Sequence, residues 1–179
     1  MIDLKNPKIA LALDFARIHH GEQKRKYTGE PYVTHPIEVA ERISKFVQDQ
    51  DVICAAILHD VVEDTPIKIE KIQKTFGDDI ACYVWYLTKP PVYVGNREVR
   101  KRIDRDRLHI APKYARLIKV FDIWHNSESI QENDPQFWEV FKIEALLLLD
   151  SMQAYNLVLE FCGQDFAENE FIDFIMDLA

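Results

Sequence analysis

The chain has few of the features that would address it to a membrane, cross-link it or bind it to a polyanion. Its 179 residues include only three cysteines, Cys54, Cys82 and Cys162. They lie far apart, which argues against a disulfide framework or a thiolate zinc site and fits buried thiols in a reducing compartment. There are five glycines, and no low-complexity tract or internal repeat. No apolar run approaches the roughly 18 residues needed to cross a bilayer. The opening stretch MIDLKNPKIALALDF has early acidic residues and no cleavage pattern, so neither secretion nor membrane insertion is expected. A cytoplasmic protein is the expectation. Basic charge is also in deficit: 22 Lys and Arg against 30 Asp and Glu leave a net charge of −8. A bulk electrostatic grip on nucleic acid or an anionic membrane is therefore excluded as the main mode of action. A local basic pocket for a small anionic ligand stays open.

What remains is an ordinary globular composition, 47% hydrophobic and 29% charged, expected to form a single domain over residues 1–179. Periodicity is helical nearly throughout, with no convincing strand. Asn6-Pro7 predicts a helix through His20, stopped by Gly21. Pro36 opens a second helix to about Val47. Asp49 or Asp51 caps a third that carries the chemically loaded motif. Thr65-Pro66 begins a fourth ending at Gly77, and Asp78 a fifth to about Thr88. Pro90-Pro91 breaks the chain before the basic segment NREVRKRIDRDRL. Pro112 opens APKYARLIKVFDIWHN, Asp134-Pro135 begins one long helix through Phe161, and Gln164–Leu178 closes the chain. The expected fold class is all-α, a bundle of about eight to ten helices.

The segment AILHDVVEDT, residues 56–65, places a histidine and three carboxylates in an apolar run. Isolated charges there cost several kcal/mol unless paired or bound to a metal. At about 100° per residue, one continuous helix would direct His59, Asp60, Glu63 and Asp64 into one arc. Ile57, Leu58, Val61 and Val62 would then face the core. His59 and Asp60 suit a divalent cation, with Glu63 and Asp64 within reach of its water. Further ligands must come from elsewhere. His35, just before Pro36, is one candidate. Asp122, in the apolar run LIKVFDIWHN, is the other, with Asn126 one turn on along the same face. The plainer reading is that a buried Asp merely caps a helix; three such sites on apolar helices outweigh it.

GEPYVTHPIEVA, AAILHDVVEDT, FGDDIACYVWYLTK and LIKVFDIWHN resemble, in order, the four motifs of HD-domain hydrolases of the RelA/SpoT type. Those enzymes remove the 3′-pyrophosphate from ppGpp and pppGpp. The match runs from about Ala10 to Ser129, and in size the chain resembles the small stand-alone alarmone hydrolases, with no room expected for synthetase or regulatory domains. The resemblance implies an HD-type bundle with one Mn²⁺ ion held by His35, His59, Asp60 and Asp122. It implies that Glu63 and Asp64 position and activate the attacking water, and that Arg25, Lys26, Asn126 and Ser129 bind the nucleotide. Two departures stand out. Tyr27-Thr28 replaces a single residue ahead of GEPY, and Ile123 stands where the family has Arg.

The expected function is removal of pyrophosphate from ppGpp or pppGpp to give GDP or GTP. The alternatives are a phosphatase or pyrophosphohydrolase on another nucleotide, such as NADPH or an adenosine counterpart, and a nucleotide-binding regulatory module with weak catalysis. The partner is a small-molecule nucleotide, with no nucleic acid and no membrane; a homo-oligomer is open. The arginines of segment 97–107, interleaved with Glu98, Asp104 and Asp106, read as a solvated helix with internal ion pairs, or as a lid reaching the substrate's phosphates. His19, His20 and His109 read as surface or partly buried histidines and His125 as, at most, support for the site. The aromatics from Phe137 to Phe174 read as core or a dimer surface.

Overall fold

The computed structural model describes residues 2–179. Helices occupy most of it, and ten of them have seven residues or more. The only extended pairing among the described residues is an isolated antiparallel bridge between Lys24 and Pro31. The backbone forms two compact units, the first ending at Thr88 and the second running Lys89–Ala179. The expectation of an all-α chain is met.

The first unit is organised around α3, Gln50–Leu58. Its residues Val52 to Leu58 are all buried, as befits a helix that is apolar all round. It packs against α1, Pro7–His20, against α2, Thr34–Ile43, and against α6, Asp78–Leu87. Asn6 Oδ1 accepts from the amides of Lys8 and Ile9 at 2.9 and 3.3 Å, so it caps α1 as expected. Gly21, at φ 51°, ends that helix in a region only glycine enters freely. Asp49, not Asp51, caps α3, accepting from the Asp51 amide at 2.8 Å.

Three expectations in this unit are corrected. The helix through the HD motif is not continuous. α3 stops at Leu58, His59 and Asp60 form a turn, and a single-turn α4, Val61–Asp64, follows. The reason is local: His59 Nδ1 donates to the Ala56 carbonyl at 2.7 Å, competing for the acceptor that a continuing helix offers to the Asp60 amide. Val62 is accordingly half-buried, whereas Val61 is buried. The second helix begins two residues before Pro36 and ends at Ile43, short of Val47. Thr65-Pro66 is no helix start, because Thr65 Oγ1 accepts from the Ile67 amide and donates to the Val61 carbonyl, closing a turn. α5, Ile69–Phe76, begins only after Lys68 and packs on α6.

In the second unit the basic segment forms α7, Arg97–His109, capped by Asn96. The motif around Asp122 lies on α8, Lys113–Asn133. The helix predicted from Pro135 to Phe161 divides instead into α9, Pro135–Ser151, and α10, Ala154–Cys162. The two axes differ by 68°. Gln153, at φ 54°, turns the chain between them, and nothing in its identity announces that to a sequence reading, since Gly or Asn normally serves there. The closing segment is likewise broken into a short α11, Gln164–Phe166, a π-helical turn and α12, Ile172–Leu178. Trp124 of α8 stacks on Phe174 with ring centroids 4.8 Å apart and also meets Phe166 and Phe171. These aromatics form packed core, one of the two readings offered for them. Among the described residues no single helix is long and apolar enough to cross a membrane.

Candidate metal and nucleotide site

His35, His59 and Asp60 meet in the first unit. His35 lies in the first turn of α2 and the other two in the turn after α3, and all three are buried. One ligand atom from each falls within 4.8 Å of the other two. Asp60 Oδ2 is 3.5 Å from His35 Nε2 and 3.2 Å from His59 Nε2. The Ala56 carbonyl can only accept, so the His59 bond to it fixes the proton on Nδ1. In the neutral ring Nε2 therefore presents its lone pair toward Asp60. A carboxylate oxygen and imidazole lone pairs converging in a buried space form a donor set that a divalent cation satisfies. These three residues fit the metal that the sequence motifs imply.

The sequence motifs do not single out Tyr32, which stands in the GEPY segment three positions before His35. Its hydroxyl donates to Asp60 Oδ2 at 2.7 Å. Burial, followed by the charges of Asp60 and Asp64, pushes the phenol far above its ordinary range, so it stays protonated and a donor at any physiological pH. Its ring also approaches His20 and His35. His20 is buried, at 2% exposure, rather than a surface histidine.

Glu63 and Asp64 follow directly on α4, Glu63 half-buried and Asp64 exposed. The loop preceding α2 carries Arg25 and Lys26. It is closed by Arg25 N to Glu30 O at 2.8 Å and Tyr32 N to Gln23 O at 2.8 Å, with Gly29 at φ 73° in its tip. Lys26 sits over the Tyr27 ring at 4.5 Å, so the extra residue in this loop packs against the very lysine expected to meet the nucleotide.

The remaining sequence-predicted site residues gather in the second unit, on α8. Asp122 is 4% exposed and accepts from Lys119 Nζ at 2.7 Å on Oδ2 and from Asn126 Nδ2 at 2.7 Å on Oδ1. Ser129 Oγ donates to the Asn126 carbonyl at 3.2 Å. The i, i+4 spacing anticipated Asn126. Lys119, itself 4% exposed, was overlooked, though its i−3 position signalled it. His125 is buried beside them in sequence. On α7, Arg107 pairs with Asp104 at 2.6 Å, while Arg97 and Lys101 reach Glu144 of α9 at 2.6 and 3.0 Å. The expected internal pairing thus holds for one pair, and the others tie α7 to α9.

Comparison with known proteins places the chain in a family. An HD-domain family match covers residues 12–89, a span that contains His35, His59 and Asp60. The chain is 32% identical over 168 residues to the guanosine-3′,5′-bis(diphosphate) 3′-pyrophosphohydrolase MESH1 of Drosophila melanogaster, covering 89% of this chain and 93% of that one. It is 46% identical over 82 residues to the enzyme of that activity from Aquifex aeolicus, of which it spans only 12%. Among solved structures, a metazoan orthologue of SpoT that hydrolyses ppGpp superposes with a TM-score of 0.74 at 30% identity, over 82% of this chain and 86% of that one. A Listeria monocytogenes protein follows with a TM-score of 0.64 at 26% identity, over 86% of this chain and 96% of that one. The class is thus that of an HD-domain protein. More narrowly, the chain belongs to the family of SpoT-like hydrolases that includes MESH1.

Proposed function

We propose that the chain is a cytoplasmic, Mn²⁺-dependent 3′-pyrophosphohydrolase that converts ppGpp and pppGpp into GDP and GTP with release of pyrophosphate. The observation that carries this reading is the convergence of His35, His59 and Asp60 in a chain that spans nearly the whole of a MESH1 relative. Asp122 is proposed as the fourth ligand, on the strength of its motif and its burial. When bound, the cation supplies positive charge that polarises a phosphoryl oxygen and lowers the pKa of water.

The chain's own groups then divide the remaining work. Glu63, half-buried, takes the proton of the attacking water or returns one to the departing 3′ oxygen, and Asp64 orients that water. Arg25 and Lys26 neutralise the nucleotide's phosphates, and Asn126 and Ser129 line its pocket. A pure binding module would have no need of Glu63 and Asp64, which counts against the regulatory reading. Ile123, at the position where the family has Arg, favours testing other nucleotides alongside guanosine ones.

The test is a panel of ppGpp, pppGpp, their adenosine counterparts and NADPH, assayed with Mn²⁺ for both pyrophosphate and phosphate. Pyrophosphate from the guanosine alarmones supports the proposal. Phosphate from NADPH alone, or no release from any member, overturns the substrate assignment.

A further inference from the structure

A set of contacts in the first unit closes into a ring that joins the end of α1, the loop after it and the turn of the HD motif. His20 Nδ1 meets Gln23 Oε1 at 2.9 Å. The direction of that bond is fixed, because Gln23 Nε2 donates to the Asp64 carbonyl at 2.7 Å, leaving Oε1 as acceptor and the imidazole as donor. The Asp64 amide donates to the Asp60 carbonyl at 2.9 Å. Asp60 Oδ2 accepts from the Tyr32 hydroxyl at 2.7 Å. The Tyr32 ring lies against His20, centroids 4.9 Å apart and planes inclined by 35°, which closes the ring. The Tyr32 amide, donating to the Gln23 carbonyl at 2.8 Å, braces it across the middle.

We infer that His20, Gln23 and Tyr32 are positioning residues that set Asp60 as a ligand and Asp64 as a water-orienting group. This rests on the roles proposed above for those two acids. The physical case begins with α4, which is only four residues long. One turn cannot hold its own shape, since helix nucleation is unfavourable, and its last carbonyls have no partner within the helix. The Gln23 amide takes the Asp64 carbonyl and so clamps that end. Tyr32 acts at the other end. It donates to Oδ2, the Asp60 oxygen that lies nearest both imidazole Nε2 atoms, and thereby fixes the carboxylate's rotation about its last torsion. His20 supports both arms at once, one through Nδ1 and the other through its ring face. Its Nε2 is buried and makes no hydrogen bond among the described residues, a desolvation cost that an apolar residue at this position would not incur. The imidazole is thus placed for Nδ1 and its face.

The two arms differ in what they hold: Tyr32 bonds the Asp60 carboxylate and also reaches the Asp64 side chain, whereas Gln23 takes the Asp64 backbone carbonyl at the end of α4. Full-length wild type, Tyr32→Phe, Gln23→Ala and His20→Asn are titrated with Mn²⁺ by EPR of the free ion. Hydrogen exchange of the α4 amides is followed on the same proteins, and steady-state kinetics on ppGpp give a third readout. Tyr32→Phe is expected to weaken Mn²⁺ binding about tenfold, the usual loss when a ligand's supporting hydrogen bond is removed. Gln23→Ala should leave Mn²⁺ affinity within about twofold, speed exchange of the α4 amides by about tenfold, and lower kcat with KM held within about twofold. His20→Asn keeps a donor for Gln23 and removes the ring, so it should keep α4 protected and weaken Mn²⁺ as Tyr32→Phe does. Mn²⁺ affinity unchanged in Tyr32→Phe, or α4 exchange unchanged in Gln23→Ala, overturns the inference. If His20→Asn does not fold, those two milder variants decide alone. The ion and exchange readouts need no substrate, so a protein inert toward ppGpp still tests the ring. A wild type that cleaves ppGpp beside a Tyr32→Phe protein with normal Mn²⁺ affinity would remove the ring and leave the function standing. A wild type that binds no Mn²⁺ removes both.

Discussion

In the first unit the buried carboxylate of Asp60 faces two imidazole nitrogens and a phenol. In the second, the equally buried Asp122 faces an ammonium and an amide from its own helix. Both belong to an acidic protein and both sit among apolar neighbours, yet their charge is handled differently. Lys119 neutralises Asp122 from within the chain. Around Asp60 stand two imidazole nitrogens and a phenol, a set of groups that also suits a divalent cation. The comparison teaches that two equally buried carboxylates can have their charge met by different chemistry. A metal at Asp122 would have to compete with the Lys119 ammonium.

The largest effect expected from this contrast is at Asp60. Asp60→Ala should weaken Mn²⁺ binding at least about 100-fold, beyond the 10–100-fold typical of supporting residues, as measured by calorimetric titration. Retained affinity would move the metal site elsewhere. Next is Glu63→Gln, expected to lower kcat by about 10²–10⁴, the range of a general acid or base, with Mn²⁺ affinity preserved. Equal turnover in wild type and variant would remove Glu63 from the chemistry.

The second unit is probed through stability. Lys119→Met leaves the Asp122 carboxylate buried without its ammonium and should lower the unfolding free energy by about 3–5 kcal/mol, the cost of breaking a buried pair. Chemical denaturation measures this, and the double variant Lys119→Met/Asp122→Asn should recover most of the loss. Saturating Mn²⁺ sharpens the comparison. If Asp122 is a ligand, the ion restores stability to Lys119→Met more than to wild type; equal increments would make Asp122 a structural acid only.

The smallest effect concerns one thiol from each unit. Burial pushes Cys54 and Cys162 from 9.0 up to about 12. Each folded thiol keeps its proton where the unfolded one has lost it. Stability is therefore unaffected by these groups below about pH 9 and declines as pH rises from about 9 toward about 12. Replacing either cysteine by alanine should flatten that decline in an alkaline unfolding series. The same slope in the variants would contradict the assignment.

Much of this was legible in the sequence because the signals were local. Asn6-Pro7 with Gly21 bounds α1 as capping chemistry requires. His59 and Asp60 were legible because polar groups in an apolar run need a reason, and His35 because it stands just before Pro36 at a helix start. What escaped was set by tertiary or side-chain competition. The break at His59 depends on an imidazole taking a backbone carbonyl, and the bend at Gln153 places a residue in a conformation that its type does not favour. Tyr32 and Lys119 were passed over because a tyrosine or a lysine at helical spacing has an ordinary explanation. Their 2.7 Å approaches to Asp60 and Asp122 set them apart in the structure.

The most direct measurement is pyrophosphate release from ppGpp by the purified chain, with Mn²⁺, after chelation, and after Mn²⁺ is returned. One pyrophosphate and one GDP per ppGpp, abolished by the chelator and recovered with the ion, is the predicted result. Intact ppGpp and pppGpp under every divalent cation tried would contradict it.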